Sequence, residues 1–330
     1  MSVLTHWTAG TVVAGDLILR PGTVSVDGAG RIAAVRPGPV EGARPLGDVL
    51  LVPGAVDLHS DAVAKLAEPR PGVRLPFGVA VRALDRRLAG AGVTTGYAAL
   101  RLIGDEIGRR EWSATEALWS ELRALPDPLV DHRLHLRVEL ADEESVRAAE
   151  ELLARGEVAL LSVRNHTTVE HRLGRLSAAA RGAGVPLAWH DPDSPQTIGR
   201  ARAHGTVIAE FPTTVQTARA ARPAGLAVAM GAPNLLLRRS TSGNLSAFDA
   251  LSHRALHLLV GDYYPEALWP AALGCGLPLP AAVALVTRAP ARAAGLTDRG
   301  VLAPGRRADL VAVRRDGTVV RTVVAGRVVA

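Results

Sequence analysis

Short apolar runs recur along the whole chain at nearly even spacing. Eight of them are typical of strands and lie at residues 55–59, 93–99, 134–140, 158–164, 185–190, 206–211, 226–231 and 257–262. Most are separated by stretches with helical periodicity, such as 143–155 and 194–204. Because eight alternating strand and helix units favour a closed barrel over an open sheet, the pattern predicts an α/β fold built on a (β/α)8 barrel.

Both ends of the chain carry short strand patterns that are broken by turn residues. At the beginning these runs lie at 11–13, 17–19, 23–26 and 31–35, and at the end they lie at 308–313 and 319–324. Neither group can easily bury a core alone, so we expect the two to form one small β-sandwich. The predicted division is a composite sandwich from 1–51 and 302–330 beside a TIM-like barrel from 52–301.

The composition indicates a globular protein. Of the 330 residues, 48% are hydrophobic, and 33 glycines and 22 prolines are spread along the chain. The sequence contains no basic-then-apolar leader and no apolar run of membrane-spanning length, and Cys275 is its single cysteine. We therefore expect a cytoplasmic protein with no membrane partner.

The charge pattern argues against nucleic acid as a partner. Lysine and arginine total 38 against 32 acidic residues, but Lys65 is the only lysine, and the arginines are scattered along the chain singly or in pairs. A nucleic-acid-binding surface usually shows a basic patch or stripe instead. The net charge of +6 is compatible with a small phosphorylated substrate, and homo-oligomerisation stays open.

The first central strand pattern ends in a histidine and a carboxylate two residues apart, His59 and Asp61. Side chains two apart on a strand share a face, so both would point from the carboxyl end of the strand, where barrel enzymes carry their active sites. The same period aligns His135, Arg137 and Glu139 on a later strand, with Glu139 last. Imidazole and carboxylate ligands together suit zinc or another borderline divalent ion.

Taken singly, a strand-end histidine is usually a packed core residue, and a strand-end aspartate is usually a helix N-cap. Taken jointly, six such groups at the ends of five strands predict a metal site: His59, Asp61, Glu139, His166, His190 and Asp262. Three imidazoles and three carboxylates suffice for two divalent ions that share a bridging carboxylate. Zinc is the expected metal, with manganese or magnesium as alternatives.

The order of these groups along the chain, followed by the segment 300–311, resembles the amidohydrolase superfamily. Many members of that superfamily bridge two metals with a carbamylated lysine. Lys65 follows the first strand, so the resemblance implies that Glu139 is the bridging ligand if the site has one. It also implies that Asp262 binds metal and moves a proton during catalysis.

Within the superfamily, the chain resembles the diphosphatases that act on ribose 1-methylphosphonate 5-triphosphate in phosphonate breakdown by the carbon-phosphorus lyase pathway. The most specific strings are Glu210-Phe211-Pro212-Thr213-Thr214 and Met230-Gly231-Ala232-Pro233-Asn234, and the likeness runs from about residue 50 to 313. It implies hydrolysis of a phosphoric anhydride, with release of pyrophosphate from this compound or a related sugar triphosphate.

The chain departs from that family around the substrate. Only the residues 167–189 separate His166 from His190, where the family carries a long insert, and the loop 237–244 lacks a family histidine. Charge and resemblance still suggest a set of substrate-binding groups for the phosphates. These are Lys65, Arg70, Arg238, Arg239, Ser242, Gly243 and Asn244.

Two other functions stay open. The same metals would serve a hydrolase of a C–N bond, such as a cyclic amide or an N-acyl group, which would need few phosphate-binding cations. Convergence of Arg70 and the loop 238–244 on the metals would favour the diphosphatase. The other alternative is a non-catalytic binding protein, which metal analysis would distinguish from an enzyme.

Overall fold

The computed structural model describes residues 4–102, 109–164 and 169–330, and the side chains of 109–114 lie outside that description. Seven short strands come first: β1 (Thr5–Ala9), β2 (Thr11–Ala14), β3 (Leu17–Leu19), β4 (Gly22–Val26), β5 (Ile32–Pro37), β6 (Arg44–Pro45) and β7 (Leu50–Pro53). Four of them form one sheet in the order β5-β4-β1-β6.

Eight parallel strands form the central sheet. They are β8 (Ala55–Ser60), β9 (Val93–Leu102), β10 (Asp131–Glu139), β11 (Val158–Arg164), β12 (Leu187–His190), β13 (Thr206–Glu210), β14 (Ala227–Gly231) and β15 (Leu258–Val260). Each is hydrogen-bonded to the next along the chain, in the order β15-β14-β13-β12-β11-β10-β9-β8. All eight strand predictions are therefore confirmed.

The first and last strands meet at their carboxyl ends, which brings the sheet close to a full barrel. The backbone N–H of Asp262 donates to the carbonyl of His59 at 2.7 Å, and that of Asp61 donates to the carbonyl of Asp262 at 3.1 Å. Ser60 and Asp262 form a parallel bridge there. The closure places three predicted ligands side by side.

Helices cover the outside of the barrel. They are α1 (Ala62–Ala67), α2 (Phe77–Gly90), α3 (Arg109–Arg123), α4 (Glu143–Ala154), α5 (Glu170–Gly182), α6 (Pro195–Ala203), α7 (Val215–Ala221), α8 (Ala232–Leu237), α9 (Ala247–Ser252), α10 (Leu268–Leu273), α11 (Leu279–Ala284) and α12 (Arg288–Ala293), with a 3₁₀ turn at Pro265–Ala267. Local chemistry sets their limits. In α4, the Asp142 side chain accepts from the N–H groups of Glu144 and Ser145, and Val146, Ala149, Leu152 and Leu153 are buried at helical spacing.

The last strands of the chain complete the second terminal sheet. They are β16 (Leu310–Val313), β17 (Val319–Val324) and β18 (Arg327–Val328), and the sheet order is β18-β17-β16-β7-β2-β3. Strands from both ends thus pair directly, as β16 does with β7. The small β-sandwich of both chain ends is therefore confirmed, while the residue limits at 52 and 301 stay predictions.

Three apolar clusters hold these layers together. One lies between the terminal sheets and includes Trp7, Val24 and Leu310. The largest lies between the barrel strands and the helices, and the smallest fills the barrel interior with side chains such as Leu160 and Ile208. Among the helices that the structure describes, none is long and apolar enough to cross a membrane.

Candidate active site

The carboxyl ends of the barrel strands carry unusual backbone conformations. Asp191, Phe211 and Asp262 have φ values of 52°, 52° and 55°, and each follows the end of a barrel strand by one or two residues. Aspartate tolerates the left-handed region, but a bulky residue such as phenylalanine adopts it only under constraint. The Phe211 ring packs edge-on against His59 at 5.1 Å and against His190 at 5.3 Å between ring centroids. This strained turn therefore supports two candidate ligands.

His59 is a buried and oriented imidazole. A register shift in the pairing of β8 with β9 between Asp57 and Ser60 allows His59 to face the barrel interior. Its Nδ1 atom lies 2.8 Å from Oε1 of Glu210, and both residues are 1% exposed. Burial lowers the pKa of His59 well below its ordinary value. The neutral ring then donates from Nδ1 to Glu210, which leaves the Nε2 lone pair free for a metal.

His59, Asp61 and Asp262 form the group best suited to a metal ion. Each offers a ligand atom, and these atoms lie within 4.8 Å of one another. Burial, followed by the charge of Asp61, raises the pKa of Asp262 to about 7. Crowded carboxylates of this kind are stabilised by a divalent cation.

Unpartnered oxygens beside this group test whether a cation fits. Oδ2 of Asp57, Oδ1 of Asp61 and Oε2 of Glu210 are buried without a hydrogen-bond partner in the described part of the chain. Asp57 is fully buried, and its Oδ1 accepts from the N–H groups of Gly261 at 2.8 Å and His59 at 3.2 Å. Burial raises the pKa of Asp57 to about 7. The donor set therefore fits a borderline or hard divalent metal.

A second group, His59 with His135 and Glu210, also has ligand atoms within 4.8 Å. The two ring nitrogens of His135 are already used, because Nδ1 donates to the carbonyl of Leu58 and Nε2 accepts from Ser162 Oγ, both at 2.9 Å. Burial lowers the pKa of His135 to about 3. His135 is thus a neutral, satisfied histidine that supports the wall of the site.

His190 lies next to the metal group, with its ring centroid 5.8 Å from that of His59. Arg137 donates from Nη2 to His190 Nε2 at 2.8 Å, and its Nη1 lies 4.0 Å from Oδ2 of Asp61. The proton of His190 is then on Nδ1, which lies 3.0 Å from Oδ2 of Asp191. Arg137 therefore occupies the lone pair that His190 would offer to a metal.

Among the described residues, Glu139 belongs to neither group of candidate metal ligands. It ends β10 half-buried, and its Oε1 accepts from the N–H of Ala141 at 3.5 Å. With His190 it lines a small cavity whose other charged groups are Arg101, Arg137 and Arg164. The bridging role of Glu139 stays a prediction.

The remaining predicted residues lie in several places. His166 is outside the described residues. The Lys65 ammonium lies 4.6 Å from the Tyr263 ring centroid, and its charge acts on Asp262. Six of the predicted substrate-binding residues are exposed: Arg70, Arg238, Arg239, Ser242, Gly243 and Asn244. The loop 238–244 is joined to the barrel rim just after its end, where the N–H of Leu245 donates to the carbonyl of Thr213. Within the described residues, no hydrogen bond or ion pair joins these exposed groups to the metal candidates.

Sequence reasoning missed several residues of the site. Glu210 ends a barrel strand, so the rule that selected Glu139 would also have selected it. Arg101 and Arg164 could have been found from the same strand-end position on β9 and β11. Asp57 gives no such signal. Its role depends on the backbone N–H of Gly261, which follows the last barrel strand and is far from Asp57 in the sequence.

Comparison with known proteins agrees with this architecture. A family model described as "Amidohydrolase family" matches residues 273–330. The alpha-D-ribose 1-methylphosphonate 5-triphosphate diphosphatase of Escherichia coli (strain K12) is 32% identical over 317 residues, covering 80% of this chain and 83% of the relative.

Solved structures share the fold at lower identity. N-acetyl-D-glucosamine-6-phosphate deacetylase from Mycobacterium smegmatis superposes with a TM-score of 0.73 at 22% identity, covering 99% of this chain and 100% of that one. Dihydropyrimidinase from Brevibacillus agri NCHU1002 gives 0.70 at 15%, covering 99% and 95%. The barrel with its terminal sandwich, together with the long match to the curated relative, shows that the chain belongs to the amidohydrolase superfamily.

Proposed function

We propose that this hydrolase cleaves a phosphoric anhydride and releases pyrophosphate from alpha-D-ribose 1-methylphosphonate 5-triphosphate or a related sugar triphosphate. The observation that carries the proposal is the 32% identity with the curated diphosphatase over 80% of the chain. The proposed partner is therefore a small phosphorylated molecule. The cationic groups around the barrel opening are consistent with such a substrate.

His59, Asp61 and Asp262 would hold a divalent metal, with Glu210 fixing the His59 ring. A metal bound there supplies Lewis acidity toward a phosphoryl oxygen and lowers the pKa of water. The Asp262 carboxylate would take the proton of the attacking water. Phe211 shields one side of His59 and His190 from solvent.

The proposed cofactor is two divalent ions, for which Glu139, His166 and His190 would supply the remaining ligands. For His190 to take part, Arg137 must release its Nε2 atom. Elemental analysis of protein loaded with zinc or manganese is expected to give close to two ions per chain. A content of one ion would limit the site to the group around His59, and none would contradict the metal-dependent function.

A hydrolase of C–N bonds is the second candidate, because the same ligands would serve it and solved structures with this fold include a deacetylase and a dihydropyrimidinase. An amidase that acts on a neutral substrate has no need of cations at the reacting centre. Arg137 is 9% exposed and contacts a candidate ligand, which favours an anionic substrate.

The test is a substrate panel with metal-loaded protein. Sugar triphosphates and nucleotides are assayed for pyrophosphate release, in parallel with cyclic and N-acyl amides. We expect turnover of a sugar triphosphate that Asp262→Asn abolishes. Turnover of amides alone would replace the diphosphatase with the C–N hydrolase.

A further inference from the structure

We propose that Arg101, Arg137 and Arg164 form an anion-binding subsite that takes the pyrophosphate part of the substrate, an inference that rests on the proposed function. The three residues lie on the neighbouring strands β9, β10 and β11. Their side chains line one cavity at the carboxyl end of the barrel. They were not among the substrate-binding residues predicted from the sequence.

Strand register places like charges next to one another. Arg137 on β10 is the register partner of Arg101 on β9, so their side chains leave the sheet side by side. Like charges in such a position destabilise a sheet unless an opposite charge compensates them. An anion bound between the two guanidinium groups would remove the repulsion.

The carboxylates of the site leave much of this charge uncompensated. Asp61 is the closest to Arg137, at 4.0 Å, and it is a candidate metal ligand. Arg164 pairs with Asp191 at 3.2 Å, whereas Arg101 has no ion pair within the described part of the chain. Three guanidinium groups and the single carboxylate of Glu139 line the cavity, so its wall is net positive and offers guanidinium donors, the arrangement that proteins use for phosphate groups.

The position of Arg137 indicates which part of the substrate binds here. Its guanidinium contacts His190 and lies at the edge of the group formed by His59, Asp61 and Asp262. An anion held by Arg137 is thus next to the reacting phosphorus and suits the leaving pyrophosphate bonded to that atom. The phosphonate is separated from the reacting phosphorus by the ribose ring and would bind farther out.

Binding of inorganic pyrophosphate and of methylphosphonate to the full chain, measured by calorimetry after metal removal, tests the subsite without turnover. Losing one charge-assisted contact should weaken pyrophosphate binding by roughly ten- to a hundredfold in Arg101→Gln and in Arg137→Met. Methylphosphonate binding should change less than about twofold, because it makes fewer of these contacts. Arg315→Gln, at an exposed position between β16 and β17, is the matched control and should bind like the wild type.

Arg101 is exposed, so Arg101→Gln should fold, and Arg137→Lys keeps the buried charge if Arg137→Met does not fold. The subsite is overturned if the wild type fails to bind pyrophosphate, or if Arg101→Gln and the folded Arg137 variant bind it normally. It is also overturned if methylphosphonate binding falls as much as pyrophosphate binding.

Arginine-dependent pyrophosphate binding without anhydride hydrolysis would refute the proposed function and support the anion site. Anhydride hydrolysis with unchanged pyrophosphate binding would refute the site alone.

Discussion

Glu210 fixes His59 through a single short contact in the barrel interior. Its Oε1 lies 2.8 Å from His59 Nδ1, and its Oε2 lies 3.9 Å from His135 Nε2. A carboxylate behind a ligating imidazole sets the tautomer and raises the basicity of the ring. The free Nε2 of His59 therefore depends on a residue that we do not expect to contact the substrate.

Replacing Glu210 by glutamine should weaken metal binding by about ten- to a hundredfold, because the neutral amide no longer holds the His59 proton on Nδ1. Titration against a competing chelator measures the change. Glu157→Gln is the matched control, since Glu157 is a half-buried, ion-paired glutamate at the amino end of β11. Equal affinity in Glu210→Gln and the wild type would show that Glu210 does not orient the ligand.

Individual ligands differed in how far the sequence could predict them. His59, Asp61 and Asp262 were predicted because each ends an apolar strand pattern, and the structure brings their ligand atoms together. The contact between Arg137 and His190 could not be predicted, since it depends on the relative height of β10 and β12. Strand periodicity assigns a side chain to a face of the sheet and gives no distance across a barrel.

The connection after β15 ties the end of the barrel to its beginning. The Gly261 N–H donates to Asp57 at 2.8 Å, and the next residue pairs with His59 through the backbone. A Cβ atom at Gly261 would overlap Oδ2 of Asp57 and lie 3.0 Å from the Pro265 Cα atom. Asp57 is a buried residue of a barrel strand and the Pro265 Cα is a backbone atom, so neither can easily move away from an added methyl group.

Gly261→Ala should therefore destabilise the protein by about 1–3 kcal/mol. It should also weaken metal binding, because Asp57 is displaced beside His59. Urea unfolding and metal titration check both effects. Gly199→Ala on α6 is the control. Apart from its own helix backbone and chain neighbours, no atom of the described residues lies within 4 Å of the added methyl group, and a helical alanine should raise stability by up to about 1 kcal/mol. If Gly261→Ala were as stable as the wild type, the connection after β15 would not be tightly packed around Gly261.

The barrel strands were predicted because apolar runs bounded by turn residues persist without tertiary context. The register shift in β8 was not predicted, since a bulge depends on the partner strand. Strand β15 ends at Val260 although the predicted run continued to 262, because Asp262 adopts a positive φ to reach His59. Such departures lie at the site, where backbone strain is expected.

Charged residues link the barrel to the terminal sandwich at the opposite end from the site. Asp131 at the start of β10 accepts from Arg299 at 2.5 Å and lies 3.5 Å from Arg307, which also pairs with Asp309 at 2.9 Å. Arg299 is 7% exposed. Burial alone would raise the pKa of Asp131, but Arg133 and Arg299 outweigh it and hold that pKa below its ordinary value of 3.8.

This lowered pKa gives the junction a defined pH dependence. The ionised Asp131 contributes stability above its unfolded pKa, and the contribution disappears as the pH falls through the lower folded pKa. Asp131→Asn should thus cost about 1.5–3 kcal/mol in the free energy of unfolding at neutral pH and progressively less below about pH 4. Urea unfolding across this range is the measurement, with the exposed Glu41→Gln as control. If the difference in unfolding free energy between Asp131→Asn and the wild type did not change with pH, the ion pair of Asp131 with Arg299 would not be its origin.

Phosphorus NMR of the metal-loaded enzyme with alpha-D-ribose 1-methylphosphonate 5-triphosphate tests the proposed reaction most directly. Water attack on the α-phosphorus predicts pyrophosphate in equal amount to the sugar 5-monophosphate, with no free phosphate at early times and no reaction in Asp262→Asn. Release of single phosphate groups, or an unchanged spectrum from a protein that hydrolyses amides, would contradict the diphosphatase.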